Sequence, residues 1–140
     1  MVLSPSATPM QMKIEAEDDI VLVRQKARAL ALENGFDSFA VAAITTSASE
    51  LSRNVWVHGG GKGTATIRVL REGNKVGLEL IFEDQGPGIA NVQRALSGGY
   101  STKSLGLGLI GTKRLVDEFH IDTEVGRGTK VVIRKWKRKF

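Results

Sequence analysis

Two runs of alternating apolar residues, parted by a short polar turn, constrain this chain more than any other feature. Thr64–Arg71 sets Ile67 and Val69 on one side. Lys75–Glu83 sets Val76, Leu78, Leu80 and Phe82 on one side, and Glu72-Gly73-Asn74 joins the two. Side chains of a strand point to opposite faces in turn, so each run reads as a strand with one buried face. The short turn makes the pair an antiparallel hairpin. A sheet with one apolar face needs a second layer to cover it. The residues before the hairpin supply that layer. Asp18 or Asp19 is placed to cap a helix whose stripe is Ile20, Val23, Ala27, Leu30 and Ala31, with Asn34-Gly35 as its stop. Asp37 or Ser38 starts a second helix toward His58, with Val41, Ile44, Ala48, Leu51 and Val55 at steps of three and four. Gly59-Gly60-Gly61 breaks it.

Beyond the hairpin, Gly86–Ser104 reads as a long irregular connection with one helical turn near Val92–Leu96. A third helix is expected over Leu107–Glu118, a strand over Phe119–Glu124, a turn at Gly126-Arg127-Gly128 and a last strand over Thr129–Trp136. Ahead of everything lie a loose arm and a short strand, Met12–Glu15. The order β-α-α-β-β-α-β-β predicts a two-layer α/β sandwich with a mixed, mostly antiparallel sheet and its helices on one face. One domain over residues 12–140, preceded by a flexible arm over 1–11, suits a chain of 140 residues.

Composition excludes several chemistries. With no cysteine there is no disulfide, thiolate metal site or cysteine nucleophile, and two histidines do not make a histidine cage. No long uncharged apolar stretch suits a membrane span. Met1–Met10 lacks the basic start and apolar core of a signal peptide, which points to the cytoplasm. The formal charge is +5, but seven of the 20 basic residues lie between Arg127 and Lys139, where there is no acid. That leaves 13 basic against 15 acidic residues elsewhere. Such a tail tracks phosphates or protects an exposed edge strand with its lysines. Only Trp136 and Phe140 offer aromatic surface nearby, so the edge-strand reading is preferred and no nucleic-acid partner is expected.

Three polar clusters carry the chemistry. Glu50 and Asn54, four apart on the second helix, point the same way. A carboxylate and a carboxamide so placed are a solvated helix edge, or else an oxygen ligand for magnesium beside a group that orients a nucleophile. Asp84-Gln85-Gly86-Pro87-Gly88-Ile89 follows an apolar strand. It is a tight turn, or an acceptor placed where backbone closely approaches a ligand such as the amino group of adenine. Gly106-Leu107-Gly108-Leu109-Ile110-Gly111 fits a GxGxxG string, but no strand precedes it, as a dinucleotide site requires, and no Gly-Lys-Ser/Thr follows. It reads as a glycine-rich start to a helix, where free amides attract phosphate, with Lys103 nearby.

In this order the clusters resemble the N, G1 and G2 boxes of the GHKL (Bergerat-fold) ATPases. Together with Arg114-Leu115-Val116-Asp117-Glu118-Phe119, Gly126-Arg127-Gly128-Thr129 and Lys135-Trp136, they resemble the RsbT-type serine/threonine switch kinases of the stressosome, over roughly residues 12–136. That resemblance implies ATP and Mg2+ as cofactors. Asp84 would bind the adenine amino group, helped by Gly88 and, through water, by Thr129, with Gly86 and Ile89 in the same turn. Asn54 would hold the metal, and Glu50 would act as general base. Gly106 and Gly108, with Leu107 between them and Lys103 before them, would hold phosphates under a lid over about Ala90–Leu105. Implied partners are a STAS-domain substrate and a PP2C-type phosphatase. Two rivals remain: an anti-sigma factor that sequesters a sigma subunit, and a basic module that binds nucleic acid through Arg127–Lys139.

Overall fold

The computed structural model describes residues 4–5, 9–96 and 103–138, with the backbone course alone for 4–5 and 103–107. Ten elements follow in order: β1 (Ser4–Pro5), β2 (Met10–Ile14), α1 (Glu17–Glu33), α2 (Ser38–His58), β3 (Gly63–Glu72), β4 (Lys75–Asp84), α3 (Val92–Leu96), α4 (Lys103–Leu115), β5 (Glu118–Glu124) and β6 (Gly128–Trp136). The sheet runs β1-β3-β4-β6-β5, and β2 also pairs with β3. Every strand pair among the described residues is antiparallel, so the expected mixed sheet is corrected to an antiparallel one.

Local chemistry accounts for the helix ends. Asp37 Oδ1 accepts from the Ala40 amide at 2.8 Å and caps α2, as its position predicts. The cap of α1 falls on Ala16 instead of Asp18 or Asp19. Asp19 sits one turn inside and reaches back, its Oδ2 accepting from the amides of Glu15 (2.9 Å) and Ala16 (3.1 Å). At the far end the Phe36 amide donates to the Ala31 carbonyl and the Gly35 amide to Leu32, each at 3.1 Å, which satisfies two orphan carbonyls and buries Phe36.

The expected inward faces are the observed ones. Ile67, Val69, Leu78, Leu80 and Phe82 of the hairpin meet Val23, Ala27 and Ala31 of α1 and Ile44, Ala48, Leu51 and Val55 of α2 in one core. Truncating Phe82 in such a core costs about 3–5 kcal/mol. Among the described residues no helix is long and apolar enough to cross a membrane.

Three further expectations change. The short second strand covers Met10–Ile14, and the arm before it contributes Ser4–Pro5 as β1 beside Leu70 and Arg71. Helix α4 begins at Lys103 and ends at Leu115, earlier at both ends than expected. Its glycines cost helix propensity, about 1 kcal/mol each, but packing against α2 offsets that. It stops early because Asp117 belongs to the sheet: its amide donates to the Arg134 carbonyl at 3.0 Å and its carboxylate accepts from the Trp136 amide at 2.7 Å.

The basic tail is no edge. β6 lies between β4 and β5, and its charges pair with acids of its neighbours: Lys130 with Glu83, Arg134 with Glu79 and Glu118, and Lys135 with Asp117.

Candidate functional site

Asp84 is the last residue of β4, opposite Thr129 at the start of β6 and Gly63 at the start of β3. Its Oδ1 accepts from the Gly86 amide at 2.9 Å, which folds the chain sharply away from the sheet. Burial pushes the carboxyl of Asp84 above its ordinary value, and the backbone amides of Gly86 and Thr129 pull it partly back. Gly59, just past α2, leans on that carboxylate so closely that a Cβ there would fall 2.5 Å from Asp84 Cγ. Glycine is required, and it joins the end of α2 to the end of β4.

Downstream, Gly88 turns with φ of 76°, and Ile89 is buried with its amide donated to Thr123 Oγ1 at 2.9 Å. Thr123 was not among the residues singled out from sequence. Its one signal is a hydroxyl on the inward side of β5, in step with Phe119 and Ile121. Thr129 Oγ1 lies 2.8 Å from Thr123 Oγ1.

Glu50 and Asn54 share the face of α2 that meets α4, as their spacing predicts. A Cβ on Gly108 would lie 3.0 Å from Glu50 Oε2 and 3.6 Å from both polar atoms of the Asn54 carboxamide. A side chain at 108 would need the Glu50 carboxylate to give way, so the glycine lets the α4 backbone lie close to both side chains. Gly106 and Gly108 therefore lie inside a helix and not at its start. The amides of the first turn, from Lys103, are the free ones. Lys103, Gly106 and Leu107 follow the α4 backbone, and the side chains of Lys103 and Leu107 lie outside the described residues. Of the expected lid, 97–102 also lies outside them, while Val92–Leu96 forms the expected helical turn as α3.

Asn54, Asp84, Gly88, Ile89 and Thr129 line one cavity of about 40 Å³, closed by the buried Leu109 of α4. His58 borders it too, one turn beyond Asn54, and burial holds its imidazole below the ordinary value, hence neutral at pH 7. A larger cleft of about 710 Å³ shares Asp84 and Thr129 and extends to Lys62, Glu83, Arg127 and Lys130.

Among the described residues, both atoms of the Asn54 carboxamide are buried without a hydrogen-bond partner. Such a group is costly unless a ligand satisfies it. A carboxamide oxygen suits Mg2+, which keeps several waters and takes few protein ligands beside substrate phosphates. No set of three His, Cys, Asp or Glu side chains among the described residues forms a metal cage. The residues present therefore fit a metal held between one side chain and a phosphate chain.

Comparison with known proteins identifies the family and the fold. A family model described as a histidine kinase-like ATPase domain matches residues 14–135. The serine/threonine-protein kinase RsbT of Bacillus subtilis (strain 168) is 44% identical over 127 residues, which cover 90% of this chain and 95% of that protein. An anti-sigma F factor of Thermoanaerobacter sp. (strain X514) is 30% identical over 102 residues, 69% of this chain and 70% of that protein. Among solved structures, the RsbU and RsbW domains of Rv1364c from Mycobacterium tuberculosis superpose with a TM-score of 0.64 at 21% identity. The match covers 95% of this chain and 34% of that longer one, and it bears on the fold alone.

Proposed function

This chain belongs to the histidine kinase-like ATPase domain family and, within it, to the group of the serine/threonine-protein kinase RsbT; we propose that it phosphorylates a serine or threonine of a STAS-domain protein in the cytoplasm and switches to a PP2C-type phosphatase, which it activates. The observation that carries the site assignment is the cavity shared by Asp84 and Asn54; Glu50 is not among its lining residues but lies with Asn54 against Gly108 of α4.

In this reading the Asp84 carboxylate accepts from the amino group of adenine, and the Gly86–Ile89 turn closes on the base. Asn54 holds Mg2+ through its amide oxygen, and the amides opening α4 take the phosphates. The bound metal supplies charge neutralisation along the triphosphate. Glu50 orients the acceptor hydroxyl. The bond from the γ-phosphorus to the β–γ bridging oxygen breaks as the bond to the hydroxyl oxygen forms, ADP leaves, and the hydroxyl proton passes to the Glu50 carboxylate. A carboxylate is a weak base toward an alcohol, but in a loose transition state the proton moves late, after the attacking oxygen has become acidic.

The test is transfer of label from γ-labelled ATP to a purified STAS-domain protein. Wild type should label it. Glu50→Gln should bind nucleotide normally and lose transfer by about a hundredfold or more. Full transfer by that variant removes Glu50 from the mechanism. The similarity to an anti-sigma F factor favours a second reading, sequestration of a sigma subunit. Tight sigma binding with no label on the STAS protein would select it.

A further inference from the structure

Thr123 stands at the centre of a small hydrogen-bond network whose direction can be worked out. Its Oγ1 accepts from the Ile89 amide at 2.9 Å, donates to the Gly128 carbonyl at 3.0 Å and lies 2.8 Å from Thr129 Oγ1. A threonine hydroxyl has one proton and two lone pairs. The Thr123 proton goes to Gly128, and one lone pair takes the Ile89 amide. The contact with Thr129 must then be made through the second lone pair, with Thr129 as the donor. That uses the only proton Thr129 has. Toward the cavity, the Thr129 hydroxyl offers lone pairs alone.

Asp84 is paired with Thr129 across β4 and β6, and as a carboxylate it is also acceptor-only. The two groups together form a floor without a donor. We propose that Thr123 is a positioning residue that fixes the polarity of the Thr129 hydroxyl, so that the pocket takes a purine with a 6-amino group and rejects one with a 6-oxo group. The amino group brings protons to these acceptors, whereas a carbonyl brings lone pair against lone pair. The inference rests on the reading of Asp84 and Thr129 as the base-binding pair. The same network ties Ile89 to β5 and β6, so one hydroxyl sets both the position of the turn and the hydrogen-bonding sense of its floor.

The test compares ADP with inosine diphosphate, which replaces the 6-amino by a 6-oxo group, in calorimetric titrations of the full chain with Mg2+. Wild type should prefer ADP. Thr123→Val frees the Thr129 proton to point into the pocket, and the ADP preference should fall about tenfold, the value of one correctly oriented hydrogen bond. Thr123→Ser restores the hydroxyl and should restore the preference. If Thr123→Val weakens both nucleotides equally and keeps the preference, its role is structural only and the inference is wrong. Should Thr123→Val fail to fold, Thr129→Val, which removes the acceptor while leaving the Thr123 bonds to Ile89 and Gly128, must itself lose the preference. Retention of it would overturn the assignment. Wild type that binds neither nucleotide would refute the underlying site reading and this inference with it, a result distinct from tight but undiscriminating binding by wild type, which refutes the inference alone.

Discussion

Asp84 answers two opposed demands. Burial raises its pKa, so the fold prefers the protonated acid, while the proposed role needs the carboxylate. A raised acid contributes stability fully below the ordinary aspartate pKa and loses it as pH rises through the raised value, so at neutral pH the ionised group costs stability. Asp84→Asn should therefore melt at the same temperature as wild type or higher at pH 7, with the gap shrinking as pH falls through that value. A clearly lower melting temperature at pH 7 would show that the charge supports the fold. At this scale the spacing of Glu50 and Asn54 and the position of Asp84 at a strand end were visible in the chain. Each pattern alone also fitted a solvated helix edge or a tight turn, and it was the resemblance of the ordered clusters to a known family that singled them out. Thr123 was not singled out. It meets Ile89 across 34 residues, and nothing local marks that meeting.

Helix α4 decides whether the site is open. A cavity of about 40 Å³ is close to one water's share of volume, whereas ligand sites run to about 300–1,000 Å³. A nucleotide gripped by Asp84 and Asn54 must therefore push Leu109 and the α4 backbone outward. Among the described residues, the hydroxyls of Ser47 on α2 and Thr112 on α4 are buried without hydrogen-bond partners, so neither ties the two helices together. Hydrogen exchange with saturating Mg-ADP should change in Gly108–Leu115 and stay constant in α1 and β3. Binding with unchanged α4 exchange would place the nucleotide in the larger cleft instead. The sequence located α1 and α2 well because unbroken apolar stripes mark both and the Asp37 cap marks the start of α2. It misplaced both ends of α4, where glycines read as the entry to a helix lie inside it and Gly108 packs close to Glu50 and Asn54 of α2, and where Asp117 is captured by a strand not yet made.

Across the whole molecule, the helix-free face of the sheet is tied together by charge. Glu79 of β4, 1% exposed, is gripped by Arg68 of β3 and Arg134 of β6, and Arg134 also reaches Glu118 of β5 at 3.0 Å. Trp136 adds its indole Nε1–H to Glu118 at 2.6 Å. Glu79→Gln leaves two guanidinium groups short of charge at a buried point and should cost about 3 kcal/mol in urea unfolding. A loss well under about 1 kcal/mol would make these ordinary surface pairs. Alternation in the sequence identified the inward residues of the two hairpin strands. It could not rank the strands across the sheet, so an interior strand read as an edge and its paired cations as free ones. The central claim is that one pocket, lined by both Asp84 and Asn54, binds the nucleotide. Calorimetric titration of wild type, Asp84→Asn and Asn54→Ala with Mg-ADP tests it most directly. The account predicts saturable binding by wild type, none by Asp84→Asn, and weakened, less magnesium-dependent binding by Asn54→Ala. Wild-type affinity in both variants would contradict it.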